Sequence, residues 1–366
     1  PLAPLQEGLL FHAVYDERAL DAYTVQLVVD LQGEVDASAL RLAGQALLRR
    51  HANLRAAFWY EGVQRPVQVI PAEVELPWLE VDVSGEDVGE REEALTRVVE
   101  EDRARRFDPA RPPLLRFTLV RVGPERYRFI LTNHHLLLDG WSTPQLLQEL
   151  FRLYVSRGDE SVLPRVTPYR DYLAWVGRQD RQAAEAAWAK ALAGLDEPTL
   201  LAGPRRGGVA VVPEQTVVEL SEEFTAELAA QARRYGLTMN TVVQGAWALL
   251  LSRLTGRTDV VFGATVSGRS PEIPGIETMV GLFINTVPVR MRIDLRESMV
   301  EMLVRLQQQQ SELINYQHVR LSDLQRLSVG GELFDTVVVF ENYPVSPDAV
   351  SPHSGPVSVT AVQGRD

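Results

Sequence analysis

Asn133-His134-His135-Leu136-Leu137-Leu138-Asp139-Gly140-Trp141-Ser142 brings two imidazoles, a carboxylate and a glycine into one short stretch. Histidine, with an unperturbed pKa of about 6.5, can take up and return a proton near neutral pH. Held at the end of a rigid element, it can serve as a general base or orient a nucleophile through a hydrogen bond. Two successive residues of an extended strand point to opposite faces, so one imidazole can enter a cleft while the other packs inward. Asp139 admits two readings: a dyad with a histidine, or a structural carboxylate in a turn fixed by the glycine that follows. Of the remaining histidines, His51 and His353 read as structural or surface residues, while His12 and His318 have no acid partner nearby in sequence.

Other chemistries are excluded. With no cysteine there is no thiolate nucleophile, disulfide framework or cysteine metal site, and any thioester sulfur must arrive on a partner. His134 and His135 on opposite faces do not converge on one ion, and no HExxH pattern occurs, so no metal is expected. No GxSxG elbow or glycine-rich phosphate loop is present, which speaks against a serine hydrolase and against nucleotide use.

The elements that must position the histidines can be read around them. Tyr127 to Thr132 is an apolar run with the character of a buried strand. The periodic stretch from Ser142 predicts a helix capped by Ser142, with Pro144 tolerated in its first turn. Further strands are predicted over Tyr23–Leu31, 64–70, Leu114–Val122, 215–220, Asp259–Val266 and Asp335–Phe340. Helices are predicted at Pro4–His12, with Leu9, Leu10 and Phe11 to bury, and from caps at Asp36, Ser221 and Asn240. Others cover Gly89–Arg106, Tyr169–Leu192 and Glu297–Tyr316, and Leu195–Glu214 reads as a loop. The basic residues Arg49-Arg50-His51 near a helix C-terminus would offset its dipole.

A length of 366 residues fits two domains or lobes, and the polar stretch after Ser156 places their boundary near residue 160. The division is thus 1–160, with the histidine motif, and 161–366. Strand–helix alternation with long crossovers predicts an α/β fold with mixed sheets flanked by helices. No apolar run approaches a membrane span and the first residues do not read as a signal peptide, so a cytoplasmic protein without membrane contact is expected. A net charge of −12 argues against nucleic acid as a partner.

His134-His135-x-x-x-Asp139-Gly140 resembles the HHxxxDG motif of nonribosomal peptide synthetase condensation domains, members of the chloramphenicol-acetyltransferase-like superfamily. Five further segments are similar to that family's motifs and stand in its order. Pro4-Leu5-Gln6-Glu7-Gly8-Leu9-Leu10-Phe11-His12 resembles "PLQEGMLFH". Arg50-His51-Ala52-Asn53-Leu54-Arg55-Ala56-Ala57-Phe58 resembles "RHExLRTxF", departing at Ala56 among other places. Tyr169 to Trp175 is similar to "YxDFAxW", Gly281 to Arg290 to "GxFxNTxPxR", and His318 lies in a looser version of "HQxxPxE" lacking its proline and glutamate.

The resemblance implies two chloramphenicol-acetyltransferase-like lobes in a V-shaped pseudo-dimer, truncated here at the C-terminal end. It implies amide-bond formation between a donor acyl or peptidyl thioester and an acceptor aminoacyl thioester. Both are carried on phosphopantetheine arms of upstream and downstream carrier proteins, so the chain needs no cofactor of its own, and an adenylation domain is the expected neighbour. His135 becomes the active-site histidine and His134 its support. Asp139 is held by an arginine, matched here to Arg269. The Gly140 N–H is assigned to the oxyanion, Trp141 borders the substrate channel, and Asn285 either faces the reacting centre or is a structural amide. The opening motif and Glu341-Asn342-Tyr343-Pro344 lean toward a D-configured donor. Alternatives are an epimerisation domain, a silent carrier-recruitment domain, and a free-standing acyltransferase using coenzyme A.

Overall fold

Most apolar runs and helical stripes of the sequence become elements of the computed structural model, which describes residues 1–15, 21–202, 214–327, 331–342 and 357–365. In chain order these are α1 (Pro4–Tyr15), β1 (Thr24–Gly33), α2 (Ala37–Arg50), β2 (Ala57–Trp59), β3 (Val67–Val69), β4 (Trp78–Asp82), α3 (Val88–Ala104), β5 (Leu115–Gly123), β6 (Arg126–His134), α4 (Ser142–Val155) and α5 (Tyr169–Arg178). There follow α6 (Arg181–Leu192), α7 (Glu222–Arg234), α8 (Met239–Thr255), β7 (Asp259–Val266), β8 (Asn285–Arg292), α9 (Met299–Leu313), α10 (Leu321–Arg326), β9 (Val337–Val338) and β10 (Val357–Arg365). No helix among the described residues is long and apolar enough to cross a membrane.

The chain divides into two compact units that are not contiguous in sequence. One comprises Pro1–Gly177, Arg269–Phe283 and Asn342–Asp366; the other comprises Arg178–Gly268 and Ile284–Glu341. This differs from the expected split into 1–160 and 161–366, for two physical reasons. Strand β10 pairs antiparallel with β1 and so covers the backbone groups of that strand's free edge. Ile273, Ile276, Met279 and Phe283 bury their side chains with Tyr169 and Tyr172 of α5.

The first unit is built on a sheet of order β10-β1-β6-β5-β4, antiparallel except for the parallel pair β4–β5. Alternation along the strands gives it two apolar faces. Val28, Val120 and Ile130 pack with Leu95 and Val99 of α3. On the opposite side Phe117 meets Phe129 edge-on, with centroids 5.0 Å apart. Helix α2 comes close to Phe117 because Gly44 has no side chain; a Cβ there would lie 2.7 Å from the ring. Asp36 caps α2 by accepting the Ala39 N–H at 3.0 Å, and Leu40, Ala43, Ala46, Leu47 and Leu48 are its buried stripe.

In the second unit β7 lies between antiparallel β8 and parallel β9. Phe262, Ala264, Val289 and Met291 pack against Ala248 and Leu251 of α8 and Met302 and Leu306 of α9. Trp188 of α6 is buried with Val287, Val319 and Leu324. A capping box at Ser298 and Glu301 opens α9.

Several local expectations are corrected. The helix expected over 169–192 is two, because Asp180 interrupts it and caps α6 by accepting the Ala183 N–H at 3.0 Å. The cap of α8 is Thr238, whose hydroxyl accepts the Thr241 N–H at 3.0 Å, while Asn240 lies inside the first turn. Residues 215–220 form no strand; Val217, Val218 and Leu220 stay exposed. The strands expected at 64–70 and 335–340 are shorter, Val67–Val69 and Val337–Val338. Phe11 is exposed, stacked on Tyr15 at 5.4 Å. His353, Tyr343, Pro344 and the middle of the 195–214 stretch lie outside the described residues.

Candidate active site

Strand β6 carries the histidine motif out of the core of the first unit. Its ladder with β1 ends where Thr24 faces His134, and the His134 N–H is held by the Leu114 carbonyl at 2.9 Å. The chain then turns: the Leu137 N–H returns to the His134 carbonyl at 3.0 Å. His134 is fully buried and His135 half-buried, so the two rings have the unequal exposure that a strand end gives adjacent residues.

Both histidines are tied by their surroundings. His134 Nδ1 accepts the Leu136 N–H at 3.0 Å, which leaves Nε2 to carry the proton. Nε2 lies 3.2 Å from Asp21 Oδ2, close but without the alignment of a well-formed hydrogen bond. Burial works to raise the Asp21 carboxyl, but His134, the Tyr23 N–H and the charge of Arg106 together hold the group below its ordinary range. The His135 N–H is held by the Tyr23 carbonyl at 2.8 Å. The next carbonyl, that of Leu136, accepts from Gln6 Nε2 at 2.8 Å. Gln6 is itself buried, and its Oε1 accepts from the Ala3 N–H and from Gln68 Nε2, both at 2.8 Å. The opening PLQEG segment thus braces the histidine turn. The His135 ring is treated differently: Nδ1 is buried and makes no hydrogen bond to any described residue.

Asp139 is the centre of a closed polar knot. Its Oδ1 accepts from the Ser142 N–H at 2.9 Å, the Ser142 hydroxyl at 2.8 Å and Arg269 Nη2 at 3.3 Å. Its Oδ2 accepts the Phe283 N–H at 2.9 Å, and its own N–H donates to the Gly281 carbonyl at 3.0 Å. Arg269 donates further to the carbonyls of Ile276 and Met279, the latter at 3.0 Å, and its guanidinium sits over the Phe283 ring at 4.0 Å. Both oxygens are committed to Ser142, Arg269 and Phe283, and none of the hydrogen bonds of Asp139 goes to His135. Ser142 is not the cap expected of it. Asp139 takes the amide at the start of α4, and the Ser142 hydroxyl accepts the Gly281 N–H at 3.0 Å.

The knot depends on Gly281. A Cβ there would meet the Tyr169 ring at 2.4 Å, and Tyr169 cannot move aside, because it is buried and its hydroxyl donates to the Leu282 carbonyl at 2.5 Å. Burial raises the Tyr169 and Tyr172 phenols above their ordinary value, and the Asp139 carboxylate nearby adds to the effect, so both remain neutral donors. These aromatics pack within the first unit against Phe283.

The far end of α4 is pinned as well. Glu149 binds Arg50 Nε at 2.8 Å and His51 Nε2 at 2.7 Å, so this basic pair does more than offset a helix dipole. Burial favours the neutral Glu149, but His51 and Arg50 overcome it and hold the carboxyl below its ordinary range. Asn53, at a variable position of the motif, donates to the Val280 carbonyl at 3.0 Å.

Gly140 and Trp141 are half-buried and immediately precede α4. Asn285 belongs to the second unit and is buried. Its amide donates to the Gln317 and Val319 carbonyls, both at 2.7 Å, so neither hydrogen remains for a substrate. Of its two readings the structural amide is the one its bonds support. Ser142, Gln6 and Asp21 were not recognised as site residues from sequence. Gln6 lies inside a quoted motif and Ser142 two residues past one, whereas Asp21 carries no local signal.

A family model for the condensation domain matches residues 1–360. A linear gramicidin synthase of Brevibacillus parabrevis is 43% identical over 362 residues, covering 97% of this chain and 7% of that protein. Bacitracin synthase 1 of Bacillus licheniformis is 35% identical over 360 residues, again 97% of this chain and 7% of the relative. The chain therefore spans a small fraction of the curated relatives it matches. The first condensation domain of the CDA synthetase has a similar fold, with a TM-score of 0.77 and 24% identity over 100% of this chain and 84% of that one. The same domain of the calcium-dependent antibiotic synthetase with a substrate analogue gives 0.75 and 24%, covering 98% and 84%. This chain belongs to the condensation-domain family of nonribosomal peptide synthetases.

Proposed function

We propose that this domain forms an amide bond between two carrier-bound thioesters, with His135 at the reacting centre. The acceptor's α-amine attacks the carbonyl carbon of the donor thioester, the C–N bond forms, the C–S bond breaks, and the pantetheine thiol leaves. Thioesters already react with amines, so the main task is to hold two tethered substrates together, and orientation alone supplies roughly 7–11 kcal/mol. His135 takes the amine proton or holds the amine by a hydrogen bond, worth about 10²–10⁴ in rate. The observation that carries this reading is the contrast inside one motif: the His135 backbone is fixed while its ring Nδ1 is uncommitted.

Gly140 and Trp141 immediately precede α4, whose dipole favours a developing oxyanion, and the Gly140 N–H is the donor assigned to it. Trp141 borders the substrate channel in this reading. His134, Asp139 and Arg269 keep the motif in shape. The partners are donor and acceptor carrier proteins, which deliver the phosphopantetheine arms, and a neighbouring adenylation domain, all within the cytoplasm.

The test is a reconstituted reaction with donor and acceptor carriers loaded with aminoacyl-pantetheine and products read by mass spectrometry. A dipeptidyl carrier made by the wild type and lost in His135→Ala supports the reading. Undiminished product in His135→Ala would remove His135 from the chemistry. Carrier binding with no product from any aminoacyl pair would turn the assignment toward recruitment.

A further inference from the structure

The turn that enters β1 touches both histidines, from backbone and from side chain. Asp21 Oδ1 accepts the Tyr23 N–H at 3.0 Å, and Asp21 Oδ2 lies 3.2 Å from His134 Nε2. The Tyr23 carbonyl holds the His135 N–H at 2.8 Å, and the Asp21 carbonyl accepts the Thr24 N–H at 3.1 Å. The Asp21 side chain is only 4% exposed and that of His134 not at all, so neither is a solvated surface group. The Tyr23 ring lies beside the His134 ring, with centroids 6.3 Å apart.

We propose that Asp21 is a positioning residue for the amide-forming reaction: its Oδ1 holds the Tyr23 amide, its Oδ2 faces the His134 ring at 3.2 Å without a well-aligned hydrogen bond, and the two contacts together orient the turn from which His135 points. The inference rests on the reading that His135 meets the reacting amine. It goes further by placing the control of that histidine in a carboxylate more than 100 residues earlier in the chain. His134 has Nδ1 tied to the Leu136 N–H, so its remaining polar ring contact is Nε2–H toward Asp21. The facing carboxylate therefore orients the ring electrostatically, and with it the turn 134–136 that carries His135. Two acceptor atoms are essential. Asparagine has the shape of aspartate but one carbonyl oxygen, so Asp21→Asn must set an NH2 against either the Tyr23 N–H or the His134 Nε2–H.

Two-bond proton–nitrogen spectra of the histidine-labelled whole chain, combined with the carrier assay, test this. In the wild type His134 is expected as a single Nε2–H tautomer; an Nδ1–H tautomer would overturn the proposal without any variant being made. In Asp21→Asn the His134 pattern is expected to change and the His135 ring signals to shift. The turnover number should then fall about tenfold, with KM for the loaded acceptor carrier within about twofold of wild type. A rate loss that only follows the unfolded fraction, with ring signals unchanged, would reduce Asp21 to a structural residue and overturn it. A wild type that makes no product would count against the amide-forming reading alone. The spectra would then still decide the structural half: unaltered ring signals in Asp21→Asn would refute the coupling of Asp21 to the two histidines, and shifted ones would uphold that coupling.

Discussion

Around Asp139 every side-chain acceptor is engaged: Ser142, Arg269 and Phe283 supply donors from three places in the chain, and Gly281 closes the ring through Ser142. Four residues earlier, His135 is held through its backbone while its ring Nδ1 is buried without a partner among the described residues. An unpaired buried polar atom costs about 1–3 kcal/mol, and such atoms are kept where chemistry needs them. A saturated network has the opposite use, because it fixes one geometry. The comparison divides the labour within one short motif. Asp139 builds the turn and the start of α4, and His135 is the group left available.

The comparison can be broken from the Asp139 side first. Arg269→Gln leaves the buried carboxylate without its cation and strips the carbonyls of Ile276 and Met279 of a donor. Chemical denaturation should show a loss of about 3–5 kcal/mol. Arg269→Lys should recover only part of it, since an ammonium cannot reach the same set of acceptors. Gly281→Ala forces a methyl into the Tyr169 ring and should cost about 1–3 kcal/mol, read as a lower unfolding midpoint at unchanged denaturant slope.

The smallest effect sharpens the comparison through pH. The Glu149 carboxyl is held below its ordinary value of 4.5, so its bonds to Arg50 and His51 stabilise the fold above about pH 4.5 and lose that effect as pH falls through the lower folded value. Glu149→Gln should cost about 1.5 kcal/mol at neutral pH. The gap between wild type and variant should close below pH 4.5, measured by urea unfolding across the acid range. A gap independent of pH would mean that the ion pair does not contribute.

Local features were legible in the sequence. The caps at Asp36 and Ser221, the strand leading to His134 and the buried stripe of α2 are set by residues within a few positions of each other, which is the range over which periodicity and capping chemistry act. The knot was not legible from spacing, because Asp139 is joined to Arg269 and Gly281 across more than 100 residues. The family resemblance alone matched Arg269 to it. Thr238 and Asn240 are both good cap residues two positions apart, and only the helix start decides between them. Residues 215–220 have strand composition, yet strand formation needs a neighbour to pair with, and pairing is a long-range property. For the same reason the discontinuous units were hidden: β10 belongs with β1, far away in sequence.

The central claim is the division between His135 and Asp139, and the most direct test measures unfolding free energy and amide-forming turnover side by side for His135→Ala and Asp139→Ala. The account predicts that His135→Ala unfolds at or above the wild-type midpoint while turnover falls about 10²–10⁴-fold. It predicts that Asp139→Ala loses about 3–5 kcal/mol of stability, with activity falling alongside. An Asp139→Ala protein that is fully stable and inactive, or a His135→Ala protein that is destabilised and still active, would contradict it.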